Sequence, residues 1–199
     1  MKRAIIPVLV LGAMAACSDG GAVPAASSSG RYGGQGTILE SADHGPQLCF
    51  GVEDSFPPQC SGVPLAGWDW SLADDEQSGN GTTWVDVVRI EGTYDGSTFT
   101  VERVVPPVVA PAEAPGNPSC LEPEDTCGGP GAPTLAELQS ILTEVVDKLG
   151  AGGFASAYVD QQHGVVAVSV VLADPAVQAE LDERYGPGVV VLGSQLVAL

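Results

Sequence analysis

Residues 91–101 read EGTYDGSTFTV, and this stretch decides how the first half of the chain folds. Two runs rich in β-forming residues lie on either side of Asp95-Gly96, whose residue types accept the positive φ angles of a two-residue hairpin turn. The stretch therefore predicts two antiparallel strands joined at Asp95-Gly96. Residues 83–94, TWVDVVRIEGTY, and residues 97–104, STFTVERV, extend the two strands.

Three further short β-rich segments precede this hairpin, and turn-forming residues separate them. They are GTILE at residues 36–40, PQLCFGV at 46–52 and PLAGWDW at 64–70. Several short strands at such spacing indicate a small barrel or sandwich. The five strands resemble an OB-like barrel, and we predict that residues 34–104 form this β module.

The rest of the chain begins with a Pro-rich linker, residues 105–132, and continues with helical patterns. Thr134 and Glu137 have the spacing of a capping box. Apolar residues then recur at helical spacing from Leu135 to Leu149, which predicts one buried helix face. Asp174 followed by Pro175 predicts the start of a second helix.

Three strands are expected around these two helices. Residues 154–173 indicate a hairpin that turns near residues 162–164, and its apolar second strand is expected to be central. Residues 188–199, GVVVLGSQLVAL, supply one last strand through a right-handed crossover. The order αββαβ predicts a two-layer sandwich over residues 133–199, which looks like a ferredoxin-like fold lacking its first strand. The predicted fold class of the whole chain is α+β.

The N-terminus has the layout of a secretory signal peptide. Two basic residues precede an apolar run, residues 4–13, that is too short to span a bilayer. The stretch Met14-Ala15-Ala16-Cys17 resembles a bacterial lipobox, which implies removal of residues 1–16 and acylation of Cys17, for example with palmitate. Ordinary signal cleavage near an unmodified Cys17 is the alternative. Residues 17–33 then form a flexible tether.

Charge and composition limit the classes of partner. The chain of 199 residues has 25 acidic and 7 basic residues and a formal net charge of −18. Nucleic-acid binding requires clustered basic residues that neutralise phosphates, so this class of partner is not expected. Anionic lipid head groups also attract basic segments. The predicted lipid, and not surface charge, would therefore hold the protein at the membrane.

Four cysteines remain when Cys17 is set aside, and they fit an exported protein. They are Cys49, Cys60, Cys120 and Cys127, which allow three pairings. The local pairs Cys49–Cys60 and Cys120–Cys127 are favoured because each closes a short loop rich in Pro and Gly. The spacing typical of metal-binding cysteines is absent, so no metal site is expected.

Trp68 and Trp70 are the candidate ligand-binding residues. They lie two apart in GWDW, so on a strand they would share one face. A pair of exposed rings is typical of a stacking platform for a sugar or a peptide. The alternative is that they belong to the core, since a module of this size needs its large side chains inside. Trp70 is expected to be more exposed than Trp68 or Trp84.

No catalytic residue, metal ligand or cofactor site is predicted. The acidic run Asp74-Asp75-Glu76 lacks the alternating oxygen ligands of a calcium loop and reads as a solvated loop. Asp160 and His163 flank a predicted turn, where a hydrogen bond between them would fix the turn. The sequence has no G-x-S-x-G elbow and no H-E-x-x-H motif.

The mature chain also resembles uncharacterised secreted lipoproteins of actinobacteria. The stretches that carry the resemblance are GTILES, GPQLC, PPQC, PLAGWDW, GTYDGSTFTV and LDERYGPGVVVL. The resemblance implies a lipid-anchored protein on the extracytoplasmic face of the cell membrane, with a small β module and a small α/β module. It implies no site residue.

Three functions are compatible with these observations. The first is a non-enzymatic module that binds an extracytoplasmic ligand, glycan or protein of the cell envelope. The second is a cell-wall glycan-acting enzyme that uses acidic residues of the β module, which requires two carboxylates about 5–9 Å apart in one cleft. The third is a chaperone or inhibitor acting through the C-terminal sheet face, because the α/β module resembles protease prodomains.

Overall fold

A computed structural model describes residues 30–108, 122–128, 131–150 and 154–199. Within these ranges the protein is a mixed α+β structure, mostly strands, with two helices. The predicted signal peptide, Cys17 and most of the tether lie outside the described residues. Cys120 and much of the predicted linker also lie outside them.

The first module contains the five predicted strands and one short additional strand. Its strands are β1 (Gly30–Ser41), β2 (Gln47–Cys49), β3 (Val63–Ala66), β4 (Gln77–Gly79), β5 (Thr82–Tyr94) and β6 (Phe99–Val105). The first residues of β1 pair with β5, beginning with Gly30 opposite Tyr94. Regular structure therefore begins four residues before the predicted module boundary at residue 34.

Strand pairing in this module runs in a cycle. β1 pairs with both β2 and β5, β2 pairs with β3, β5 pairs with β6, and β3 lies parallel to β6. The β1–β5 ladder runs the length of both strands, whereas β2–β3 and β3–β6 are joined by two residue pairs each. Because only two residue pairs join β3 to each of its neighbours, the sheet does not form a true barrel. The predicted OB-like closure is thus only partly present.

The hairpin between β5 and β6 is confirmed, but its loop is longer than predicted. Tyr94 pairs with Phe99, so residues 95–98 form a four-residue loop. The Asp95 carboxylate accepts hydrogen bonds from the backbone N–H groups of Thr98 and Ser97, at 2.8 and 2.9 Å. These bonds hold the pKa of Asp95 below its usual value. The side chain therefore organises a wider turn in place of the two-residue turn.

A two-residue hairpin turn occurs instead at Asn80-Gly81, where the sequence analysis predicted only a solvated loop. Asn80 and Gly81 have φ angles of 50° and 80°, and Gly79 pairs with Thr82 across the turn. Asn-Gly favours this geometry because both residues accept positive φ. The turn adds β4 to the edge of the sheet.

The second module follows the predicted αββαβ order. Its elements are α1 (Leu135–Leu149), β7 (Ser156–Asp160), β8 (Val165–Val170), α2 (Pro175–Tyr185) and β9 (Val190–Ser194). β8 is central, antiparallel to β7 and parallel to β9. The capping box is confirmed, since Thr134 N donates to Glu137 Oε2 at 2.8 Å and Glu137 N donates to Thr134 Oγ1 at 3.2 Å.

One face of this small sheet packs against both helices. Leu138 and Val145 of α1 and Leu181 of α2 are fully buried, as the helical spacing predicts. They contact the inward side chains of β8 and β9 in a core cluster of their own. The second module thus has a hydrophobic core distinct from that of the first.

The last strand differs from the prediction of one strand over residues 188–199. The segment divides into β9 and a short strand β10 (Val197–Ala198), and β10 pairs with β1 of the first module. Between them Leu196 leaves the second module and is buried in the core of the first, with 1% of its surface exposed. The prediction of a single strand was therefore wrong, because Leu196 is buried in the neighbouring core.

A glycine makes room for this insertion. A Cβ on Gly34 would lie 2.8 Å from both Leu196 Cδ2 and Leu48 Cδ2. Any side chain at this position would therefore push against the inserted leucine. The backbone of the segment is also fixed, since Leu196 N donates to Val171 O at 3.0 Å and Leu199 N donates to Arg31 O at 3.0 Å.

The disulfide between Cys49 and Cys60 is formed, as predicted. Cys127 is buried and disulfide-bonded. Its predicted partner, Cys120, lies outside the described residues, so the pairing Cys120–Cys127 stays a prediction.

Candidate functional site

A cleft of about 490 Å³ lies where the two modules meet. Three segments that are distant in sequence form its walls. The first is the disulfide loop, residues 49–60, together with residues 61–64. The second is the β5–β6 hairpin, with Tyr94, Gly96 and Ser97, and the third is the second module, with Phe154, Ala155 and Val171.

The wall formed by the disulfide loop is fixed by covalent and polar contacts. The Cys49–Cys60 bond closes the loop, and Glu53 N donates to Gln59 O across it at 2.8 Å. Beyond the loop, Gly62 N donates to Gln47 Oε1 at 2.9 Å. The cleft therefore has a preformed wall on this side, which is typical of ligand sites.

The hairpin wall supplies neutral polar groups. Tyr94 is buried, and burial together with the nearby charge of Asp95 raises the pKa of its hydroxyl above the usual value. The hydroxyl therefore stays protonated over the physiological pH range. Ser97 Oγ donates to the Asp95 carboxylate at 2.9 Å, which fixes the serine at the rim.

The third wall depends on the C-terminal segment. Val171 packs against the core of the first module, and its carbonyl accepts the hydrogen bond from Leu196 N. Ala155 N donates to Ser169 O at 2.7 Å, which continues the β7–β8 ladder into the cleft. Insertion of Leu196 and the position of this wall are therefore coupled.

Among the cleft-lining residues that the structure describes, Glu53 is the one charged side chain. The other lining residues are apolar, aromatic or neutral polar, with Phe50, Phe154, Gln59 and Ser61 among them. The described lining contains no basic side chain that would neutralise a phosphate or carboxylate ligand. It suits a ligand that combines apolar surface with neutral hydrogen-bonding groups, or one with a single cationic group opposite Glu53.

Trp68 and Trp70, the predicted ligand-binding pair, do not line this cleft. β3 ends at Ala66, and Trp70 begins a short 3₁₀ helix, Trp70–Leu72, so the prediction of one shared strand face was wrong. The two rings are half-buried and pack edge to face, with their centroids 5.7 Å apart. Both contact the core of the first module.

The indole N–H groups of Trp68 and Trp70 differ in their hydrogen bonding. Trp70 Nε1 donates to Glu40 Oε2 at 2.5 Å. Trp68 Nε1 is buried and has no hydrogen-bond partner in the described part of the chain. Trp84, as expected, is more buried than Trp70, with 5% of its surface exposed. Both rings of the pair therefore pack on the core of the first module, and their role in ligand binding stays a prediction.

Asp160 and His163 meet across the predicted turn of the β7–β8 hairpin. His163 Nδ1 lies 2.7 Å from Asp160 Oδ2, and the backbone N–H of His163 donates to Asp160 Oδ1 at 3.1 Å. Burial acts to raise the pKa of Asp160, but these hydrogen bonds outweigh it and hold the pKa below its usual value. The pair fixes the turn, as its sequence position suggested.

The sheet face opposite the helices in the second module is open. Tyr158, Ala167 and Val191 form one row across β7, β8 and β9. Tyr158 and Val191 are exposed, whereas the alternate residues of β8 face the helices. This surface is where the sequence analysis placed a possible protein contact.

Neither a metal cluster nor a membrane-spanning helix occurs within the described ranges. No group of three or more His, Cys, Asp or Glu side chains there could hold a metal ion. The helices there are 15 and 11 residues long, and none combines the length and apolarity of a membrane span.

Comparison of the chain with protein-family models, with curated proteins and with solved structures gives no match.

Proposed function

We propose that this protein is a lipid-anchored lipoprotein of the cell envelope that binds a ligand, without catalysis, in the cleft between its two modules. The cleft itself carries this proposal, because it has preformed walls and, among its described lining residues, Glu53 as the one charged side chain. Acid–base catalysis on a glycan needs a second carboxylate facing the first. The cleft therefore favours binding over the glycan-acting enzyme.

The lining favours an uncharged or cationic ligand with an apolar part. The rings of Phe50 and Phe154 provide apolar surface, and Gln59, Ser61 and Ser97 provide neutral donors and acceptors. Such sites hold a ligand by apolar contact and orient it by a few polar groups. Neutral glycan segments and short peptides of the cell envelope have this chemistry.

We also propose a fold type for each module. The pairing cycle of β1, β2, β3, β6 and β5, with β3 parallel to β6, supports an OB-like module, since OB-folds are partly open five-stranded barrels. The αββαβ order supports a ferredoxin-like second module without its first strand.

Blocking the cleft tests ligand binding. Ala155 is exposed and lines the cleft, so Ala155→Trp is expected to fill part of it and abolish binding. Ala176→Trp, at an exposed position of α2 outside the lining, is the matched control. The measurement is ligand-observed NMR with two probes, a neutral N-acetylglucosamine oligosaccharide and an uncharged hexapeptide.

We expect at least one probe to bind the unmodified protein and the control variant, but not Ala155→Trp. Absence of binding by both probes would count against the proposed ligand class. Equal binding to Ala155→Trp and to the control would show that the ligand lies elsewhere.

The lipid anchor has a separate test. Cys17→Ser is expected to prevent lipid attachment and to move the protein from the membrane fraction to the medium, because the lipid is attached through the cysteine sulfur. Fractionation followed by immunoblotting measures the distribution. If the variant remains in the membrane fraction, the lipobox interpretation is incorrect.

A second candidate function is protein binding by the open sheet face. The row of Tyr158, Ala167 and Val191 favours it, because its two outer members are exposed and exposed apolar patches often mark interfaces. This would be the chaperone or inhibitor role suggested by the resemblance to protease prodomains.

A further inference from the structure

The disulfide loop presents an exposed aromatic ring. Phe56 is 76% exposed, more than any other large apolar side chain in the described ranges. It does not line the cleft. A ring of this size in water has an energetic cost that burial in an interface would remove.

The ring is held in place although it is exposed. It lies edge-on to the buried Trp84, with centroids 5.8 Å apart and planes at 86°. It also rests against Gly79, where a Cβ would lie 3.2 Å from the ring. A side chain that is already ordered loses little conformational entropy on binding, which is the condition for an effective interface anchor.

Hydrogen bonds within the loop fix the backbone beside the ring. Ser55 Oγ donates to Pro57 O at 3.0 Å, and Gln59 Nε2 donates to Ser55 Oγ at 3.3 Å. The Cys49–Cys60 bond closes the loop below them. The tip is therefore a rigid projection with one aromatic side chain at its end.

The charge around this projection selects its partner. Glu53 and Asp54 are exposed beside Phe56. No lysine or arginine lies between Arg31 and Arg89, whereas acidic residues recur throughout that stretch. Such a surface repels anionic lipid head groups and attracts a basic protein surface.

The ring of Phe56 also lies far from Gly30, where the predicted tether joins β1. The described chain enters β1 at Gly30, and Ser41 at the other end of β1 pairs with Thr82. Thr82 pairs with Gly79, on which the ring of Phe56 rests. A strand of this length spans about 36 Å. The ring thus lies at the far end of the module from the point where the tether joins.

We propose that Phe56, with the adjacent carboxylates of Glu53 and Asp54, is a docking point for a protein whose surface has an apolar pocket bordered by Lys or Arg. The ring fills the pocket, and the carboxylates face the basic border. Glu53 also lines the cleft, whereas Phe56 and Asp54 do not. Docking through the ring and Asp54 does not depend on the function proposed for the cleft.

Photo-crosslinking in cells that produce the full chain identifies the occupant. Phe56 is replaced by p-benzoylphenylalanine, and adducts are identified by mass spectrometry. Leu72, another exposed apolar residue of the first module, provides the control position. We expect an adduct with a different protein from position 56 and none with the same protein from position 72. A phospholipid adduct, an adduct with a second copy of the chain, or no adduct would overturn the proposal.

Binding of the identified protein to purified variants then tests the chemistry. Phe56→Ala is expected to weaken binding about 30-fold, as for a central aromatic anchor. Asp54→Asn is expected to weaken binding and to reduce its dependence on salt. Ala155→Trp should bind the partner normally, which separates this site from the cleft. Wild-type affinity of Phe56→Ala would overturn the proposal.

Discussion

Leu196→Ala is expected to lower the free energy of unfolding of the first module by about 2–5 kcal/mol, the range for a buried leucine truncated to alanine. Leu196 is 1% exposed and packs in the core of the first module, although the chain reaches it from the second. The variant leaves a cavity between Gly34 and Leu48 that neither module can fill. Urea unfolding monitored by tryptophan fluorescence measures the change, because all three tryptophans are in the first module.

Val197→Ala is the matched control for this prediction. Val197 is the next residue in the same segment but is 64% exposed. An exposed substitution of this kind usually changes stability by less than about 0.5 kcal/mol. If Leu196→Ala and Val197→Ala unfold at the same urea concentration as the unmodified protein, Leu196 does not occupy the core of the first module.

The second large effect is expected for Trp84→Ala, at about 3–5 kcal/mol. Trp84 is 5% exposed and packs with Leu39 and the Cys49–Cys60 disulfide in a small core cluster of its own. Its removal leaves the disulfide loop without its main apolar support. The measurement is urea unfolding of the oxidised protein, with the disulfide verified by mass spectrometry.

Trp70→Ala is the comparison for this variant. The ring of Trp70 is half-buried, so less apolar surface is lost, although Glu40 loses its hydrogen-bond donor. We therefore expect Trp70→Ala to be less destabilising than Trp84→Ala. The opposite order would mean that the Trp68–Trp70 pair, and not Trp84, is the main aromatic support of the module.

Features set by local chemistry could be predicted from the sequence. The capping box at Thr134 and Glu137 fixes the start of α1 through neighbouring residues, and Gly150 and Gly186 end the two helices in the same local way. The β-rich runs around Asp95-Gly96 likewise specify their hairpin. In each case the interacting groups are only a few residues apart, so a short stretch of sequence includes both partners of the interaction.

The positions of the tryptophans could not be predicted from spacing. Two residues two apart share a face only while the strand continues. Gly67, immediately before Trp68, has a φ of 74° and ends the extended conformation after β3. Asp69 then accepts a hydrogen bond from Ser71 N and starts the 3₁₀ helix. A glycine in this stretch was the available sign that the strand stops.

The cleft and the insertion of Leu196 into the first module could not be predicted from the sequence either. The cleft walls come from segments around residues 50–64, 94–97 and 154–171, and no local pattern joins them. The one available sign was the predicted Cys49–Cys60 loop, whose closure gives a rigid wall. Residues 188–199 are mostly apolar on both sides of Ser194 and Gln195, so the pattern does not show that Leu196 belongs to a different core.

The C-terminal segment of the second module inserts into the first module, and this insertion fixes the cleft between the two modules. The most direct measurement is a methyl–methyl nuclear Overhauser experiment on protein with labelled leucine side chains. Leu196 Cδ2 and Leu48 Cδ2 both lie 2.8 Å from the point where a Cβ on Gly34 would be. We predict a strong cross-peak between the methyl groups of these two residues. Its absence, with Leu196 methyl shifts typical of an unfolded chain, would contradict the account.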